Sequence, residues 1–101
     1  MYARMTTMQP RPGMAGEAAR IFRESVIPAA QQQTGFRGAV LLEDPASGRG
    51  TSITLWETEV NLKAGEESGY FKEQIAKFGP LMAGPPVREV LVVTARALPG
   101  D

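Results

Sequence analysis

Trp56, Tyr70 and Arg88 are the side chains whose types and positions best suit chemistry on a bound molecule. Trp56 is the only tryptophan. It lies near the end of Gly50 to Thr58 (GTSITLWET), which reads as a strand. A large ring with one N–H donor at a strand end can wall a cavity, and it can equally close a seam between sheet and helix. Tyr70 stands one residue before an apolar run, at the margin of a buried helix face. There its phenol can bond a substrate hydroxyl or act as an acid with a pKa near ~10. The plainer reading leaves its hydroxyl in water. Phe71 adds a second ring beside it. Arg88 is a cation in a strand otherwise rich in valine. It can anchor an anionic or phenolate group, or it can point outward and pair with a neighbouring carboxylate. Asn61 reads most simply as a residue of a helix's first turn. Glu57 and Glu59 are carboxylates two residues apart that could flank a site, although a solvated strand end explains them as well.

Composition narrows the chemistry. The chain has no histidine and no cysteine. That removes the commonest general base, the usual transition-metal ligands, thiolate chemistry and disulfides. Eleven basic residues balance eleven acidic ones, so no electrostatic footprint for nucleic acid or a membrane surface is expected. No apolar run approaches the ~18 residues that cross a bilayer, and the N-terminus lacks the apolar core of a secretory signal. A cytoplasmic protein is expected. Gly48-Arg49-Gly50 and Gly79-Pro80 lack the strand–glycine–helix order of a phosphate loop and read as turns.

The elements that must position these residues follow from periodicity and punctuation. Tyr2 to Gln9 reads as a strand ended by Pro10, Pro12 and Gly13. Met14 to Gln33 has one apolar face through Met14, Ala18, Ile21, Phe22, Ser25 and Ala29 and reads as a helix that kinks or restarts at Pro28. Phe36 to Glu43 and Gly50 to Thr58 form a hairpin around Asp44-Pro-Ala-Ser-Gly48. Thr58 caps a helix that breaks near Ser68, and a second helical stretch runs from Tyr70 to Met82 through Phe71, Ile75, Phe78 and Met82. Val87 to Ala97 reads as the last strand. With 101 residues there is one core, so residues 1–97 form a single domain and 98–101 a short tail. The order βαββαβ is the ferredoxin-like α+β arrangement, a four-stranded antiparallel sheet with both helices on one face.

Ala39 to Leu42 and Val90 to Val93 are unbroken apolar runs, whereas a sheet with one wet face should alternate. Two helices cover one face only. A second copy of the chain is the expected cover for the other, giving a homodimer; isolated apolar side chains at the surface are the alternative.

With these elements in place the chain resembles the dimeric α/β-barrel proteins of the antibiotic-biosynthesis-monooxygenase type. The likeness rests on Pro28, Gly35-Phe36-Arg37-Gly38, Leu41-Leu42-Glu43-Asp44, Trp56-Glu57, and Leu62, Ala64, Glu66, Ser68 and Phe71. It implies two chains paired sheet to sheet, with a pocket inside each between sheet and helices. Characterised relatives oxidise polyaromatic phenols with molecular oxygen and neither metal nor flavin. Others degrade haem through a helical histidine or isomerise small lactones. In the phenol oxidisers a tryptophan, an asparagine, a tyrosine and an arginine surround the substrate. The matching positions here are Trp56, Asn61, Tyr70 and Arg88. The resemblance thus implies Tyr70, Asn61 and Arg88 as catalytic residues, Trp56, Tyr70 and Phe71 as ligand-binding residues, and no cofactor or metal. The chain departs from the pattern near Gly69-Tyr70, where many relatives carry histidine, so an axial histidine for haem is impossible.

Two functions are therefore expected to compete. One is a cofactor-independent monooxygenase acting on a small aromatic or quinol-like compound in an aromatic-walled pocket with few polar groups. The other is a non-catalytic homodimer that binds a small apolar ligand or serves as an interaction module.

Overall fold

The structure, a computed structural model, describes residues 1–101. Strand β1 spans Tyr2–Met8. Helix α1 (Ala15–Ile21), a π-helical turn (Phe22–Val26) and α2 (Ile27–Gln31) follow without a break. The expected single helix is therefore three pieces. Pro28 has no N–H for the carbonyl of Glu24 and its ring crowds that turn, and the wider π turn absorbs the misfit. The Ile27 N–H accordingly reaches back five residues to the Phe22 carbonyl.

Strands β2 (Phe36–Glu43) and β3 (Gly50–Trp56) form the hairpin. Phe36 pairs with Trp56 while Gly38 already pairs with Leu55, so Arg37 is the extra residue of a β-bulge. Helix α3 (Glu59–Glu67) starts at Thr58, whose hydroxyl accepts the Asn61 N–H at 3.1 Å. Gly69, at φ +87°, separates it from α4 (Tyr70–Ala76). The expected helix to Met82 stops six residues early. Gly79-Pro80 cannot continue it, and a 3-10 turn (Gly79–Leu81) takes over. Phe78 and Met82 are nonetheless buried.

Strand β4 is Val87–Val92, not Val87 to Ala97. Its partner explains the difference: Val92 faces Tyr2, the first residue of β1, and only one further bond, from the Val93 N–H to the Met1 carbonyl at 2.9 Å, is available beyond it.

The sheet order is β2-β3-β1-β4, with all neighbours antiparallel. This is the ferredoxin-like α+β fold. The main apolar core, Met8, Ala18, Phe22, Val26, Phe78 and Met82, lies between the sheet and the first helical layer. Strand alternation divides the side chains cleanly. Arg4, Thr6, Met8, Ser52 and Thr54 point toward the helices. Their neighbours Met5, Ile53 and Val40 stand in register on the opposite, helix-free face. No helix is long and apolar enough to cross a membrane.

Candidate functional site

A cavity of about 30 Å³ lies between β1, β3 and α4, with Phe22 and Val26 closing its far side. Its floor is polar. Arg4, Thr6, Ser52 and Thr54 rise from the sheet, and Gln74 comes down from α4. Arg4, Thr6, Ser52 and Gln74 are all buried. Tyr70, Phe71, Ile75 and Phe78 form the helical wall. The cavity is thus mainly apolar, as expected, with its polar side chains gathered on the sheet side and at Gln74. Local sequence does not show this, because the strand register is what gathers Arg4, Thr6, Ser52 and Thr54 on one face.

Arg4 dominates the electrostatics. It is 3% exposed, and a buried cation needs a partner. Its Nη1 donates to Glu66 Oε2 at 3.3 Å. Its guanidinium stacks 4.1 Å from the Phe71 ring and lies 5.5 Å from that of Trp56, a cation–π arrangement. Burial pushes the Arg4 pKa down and the Glu66 charge pushes it back up, yet a guanidinium stays protonated throughout the working pH range. No buried side-chain nitrogen or oxygen of the protein is sealed in without a partner. The donors of Arg4 that Glu66 does not take therefore open onto the cavity.

Glu66 is held more tightly from the other side. Arg88, on β4, donates to both of its carboxylate oxygens from Nε and Nη2. These bonds are the main reason the Glu66 carboxyl lies below the usual carboxylate range, with the charges of Arg88 and Arg4 adding to them. Arg88 itself is 42% exposed and does not line the cavity.

Tyr70 lines the cavity next to Phe71. Burial raises its phenol pKa, and Arg4 opposes that rise. Gly65 eases its approach, because a Cβ at that position would stand a tight 3.3 Å from Tyr70 Cδ2.

Trp56 is placed differently. It is fully buried, its N–H donates to Thr54 Oγ1 at 3.0 Å, and its ring meets Phe36 and Tyr70 edge-on at centroid distances of 5.7 and 6.5 Å. It packs behind Arg4 and Tyr70 and is not part of the cavity lining. Asn61 is remote from the cavity. Its side chain receives the Thr58 hydroxyl at 2.7 Å and packs on Gly35, where any Cβ would fall within 2.3 Å of it. The structure gives Asn61 a capping contact. Glu57 faces Arg37 at 3.6 Å and Glu59 faces Lys63 at 3.2 Å, both at the surface.

Of the residues singled out in the sequence, Tyr70 and Phe71 meet at the cavity, Trp56 backs it and Arg88 reaches it only through Glu66. Arg4 and Gln74 were missed. Gln74 had a signal, since it stands four residues after Tyr70 on one helix face. Arg4 had a weaker one: it shares the period of Thr6 and Met8 in β1.

A second cleft, of about 260 Å³, adjoins the first along the 79–86 segment. Met8, Ile75 and Phe78 line both.

A ferredoxin-like sheet with a cation-floored cavity under its second helical layer defines the class of protein. The sequence supplies the family: residues 1–77 match the antibiotic biosynthesis monooxygenase model, and the chain belongs to that family. Arg88 lies beyond the matched stretch. An uncharacterised protein of Mycobacterium tuberculosis is 36% identical over 67 residues, 66% of this chain but only 28% of that longer protein. Among solved structures, SnoaB, a cofactor-independent oxygenase from Streptomyces nogalater, superposes with a TM-score of 0.77 at 12% identity, covering 94% of each chain. A monooxygenase from the gene ActVA-Orf6 of Streptomyces coelicolor, in complex with Nanaomycin D, gives 0.72 at 19% identity, covering 97% of this chain and 91% of that one. At these identities the likeness is one of fold.

Proposed function

We propose that this chain binds a small phenolic or quinol-like aromatic compound beneath α4 and oxidises it with dioxygen. The observation that carries the reading is Arg4: a buried guanidinium with one bond to protein, flanked by two aromatic rings, and with free donors in a cavity. Family membership and the fold shared with a cofactor-independent oxygenase support it.

The chemistry is that of an ionised phenol. Loss of the phenolic proton makes the ring a reductant, and a fixed cation in a dry site favours the anion. A phenol with an open para position and one dioxygen give one quinone and one water. One oxygen atom ends on the ring carbon, the other leaves as water, and the substrate supplies all four electrons. Tyr70 serves as a donor and not as a base, because its raised pKa keeps the proton on the phenol at neutral pH. Room for a ring comes from joining the inner cavity to the adjoining cleft. Met8, Ile75 and Phe78 stand between the two, and of these the unbranched methionine adapts readily.

Oxygen uptake with a panel of small phenols and quinols tests the reading. Turnover is expected with some of them, and Tyr70→Phe is expected to slow it by ~100-fold, as loss of an oxyanion donor does. Binding without oxygen uptake would leave the ligand-binding dimer. That second reading is favoured by one feature, the absence of any histidine or cysteine base.

We also propose that a second copy of the chain covers the helix-free face. Val40, Ile53 and Met5 form one row across it; Leu42, Thr51, Thr7 and Val87 form the next. Val40, Leu42, Val87 and Leu91 are exposed. The only charge in these rows is Glu89, on the edge strand. An isologous pair would bury the centre and leave Glu89 near the rim.

A further inference from the structure

We propose that Glu66 is a counter-ion shared between two arginines, and that Arg88 is a positioning residue that holds Glu66 off Arg4 so that Arg4 can take an anionic oxygen of the ligand. The inference rests on the reading of the cavity given above and names the ligand class: a planar aromatic molecule carrying one negative charge on an oxygen.

The asymmetry of the bridge is the starting point. An ionised carboxylate offers about four lone-pair sites, and an arginine offers five donors in a fixed fork. Arg88 takes both Glu66 oxygens in the bidentate geometry, which is the strong form of this contact. Arg4 has one bond, at 3.3 Å, near the long end of the hydrogen-bond range. Two cations thus share one anion, which leaves one positive charge over. The surplus sits on the inner arginine, because the outer one holds the carboxylate. Among the groups around the cavity, Glu66 is the only carboxylate in contact with Arg4.

The surroundings of Arg4 suit an oxyanion and little else. Thr6, Ser52 and Thr54 offer hydroxyls, Gln74 an amide and Tyr70 a phenolic proton. Phe71 covers one face of the guanidinium, so an oxygen must approach in the plane of the fork. A neutral ring could occupy the apolar part of the cavity but would leave the surplus charge unanswered. A dianion would exceed it.

Arg88 is half-exposed, on an edge strand, and does not line the cavity. Its effect on the ligand must therefore pass through Glu66. With Arg88 removed, the carboxylate is free to turn both oxygens onto Arg4 and neutralise it.

The experiment uses para-nitrophenol, whose anion is coloured, and its neutral methyl ether para-nitroanisole. Wild-type protein is expected to bind both and to ionise bound para-nitrophenol at lower pH than in water. In Arg88→Ala the anion should bind about tenfold more weakly, equivalent to about one pKa unit of the bound phenol, with para-nitroanisole unchanged. The double variant Arg88→Ala/Glu66→Gln removes the carboxylate's charge and should restore anion binding. Equal losses for both probes in Arg88→Ala, or no recovery in the double variant, would overturn the positioning role while leaving the cavity as the binding site. Failure of wild-type protein to bind either probe would overturn the reading of the cavity and this inference together. Arg88→Met, which keeps the apolar stem, should behave as Arg88→Ala does; a normal anion affinity there would overturn the role of the charge.

Discussion

The two faces of the sheet differ: the one toward the helices mixes an apolar core with buried polar groups, and the open one carries exposed apolar side chains. The face turned toward the helices, shielded from water, carries Arg4, Thr6, Ser52 and Thr54 at its centre. The face without helices carries Met5, Ile53, Val40, Leu55 and Leu91, several of them exposed. Stability alone would favour the opposite distribution, since buried polar groups gain little and exposed apolar ones gain nothing. A buried ion pair adds little to stability on balance. An apolar face left in water argues for a partner surface. On the two proposals made above, one sheet would hold a site and an interface back to back, with the two-residue period of the strands keeping them apart.

The largest effect is expected on the open face. Ile53 lies on a central strand, in register between Val40 and Met5. Ile53→Asp places a charge where a second copy would bury it, twice over in a symmetric pair. Each uncompensated charge costs several kcal/mol, so the dimer should weaken by more than ~100-fold. Light scattering across a concentration series checks this. If Ile53→Asp and wild type have the same mass, both equal to one chain, the open face is solvent-facing and the comparison loses its second half.

The helix-facing side answers next. Phe78 is 3% exposed and belongs to the apolar core beside the polar cavity. Phe78→Ala should cost ~3–5 kcal/mol in chemical denaturation. A cost within ~0.5 kcal/mol, as at surface sites, would mean that the apolar half of this layer is not packed as described. The variant also opens the wall shared by the inner cavity and the adjoining cleft, so ligand entry should quicken where the protein still folds.

How much of this was legible in the sequence differs between the two faces. The elements and their order could be read from punctuation: Pro10 and Gly13, Gly35, Asp44 to Gly48, and Gly79-Pro80 fall at the breaks. The apolar character of the open face was legible too, because the unbroken run Ala39 to Leu42 puts apolar side chains on both sides of its strand. The cavity was not. Arg4 and Glu66 stand 62 residues apart, and nothing local to either predicts their pairing. Phe71 was found because it lies on the clearest amphipathic stripe, and Tyr70 because it stands at that stripe's margin. Trp56 was correctly placed at a strand end, but its N–H is taken by Thr54, a side-chain detail outside the reach of periodicity. Asn61 and Arg88 came from a likeness of order along the chain. That order put Asn61 at a helix cap and Arg88 at one remove from the cavity.

The smallest effect should come from acid, and it separates the faces by charge alone. The Glu66 carboxyl sits below its ordinary range, chiefly through its bonds from Arg88, then through the charges of Arg88 and Arg4. A carboxyl depressed in the folded state binds protons more weakly there than in the unfolded chain. Between the folded value and the ordinary ~4.3 the unfolded chain carries more protons, so stability rises with pH across that window. Seen from neutral pH, the contribution is fully present above ~4.3 and is lost as the pH falls through the folded value. Because Arg88 is 42% exposed, the contribution should not exceed about 1 kcal/mol. Thermal melts of wild type and Glu66→Gln from neutral pH downward measure it. The gap between them should close below pH ~4, and a gap independent of pH would show that the bridge does not hold the carboxylate ionised. Tyr70 supplies the opposite arm. Burial raises its pKa, so the folded state keeps a proton that the unfolded chain releases near ~10, and stability should fall as the pH rises past that value. Tyr70→Phe should remove the alkaline loss and leave the acid one intact. Both arms belong to the helix-facing side, and Ile53→Asp, on the other, should leave the Glu66 and Tyr70 windows where they are.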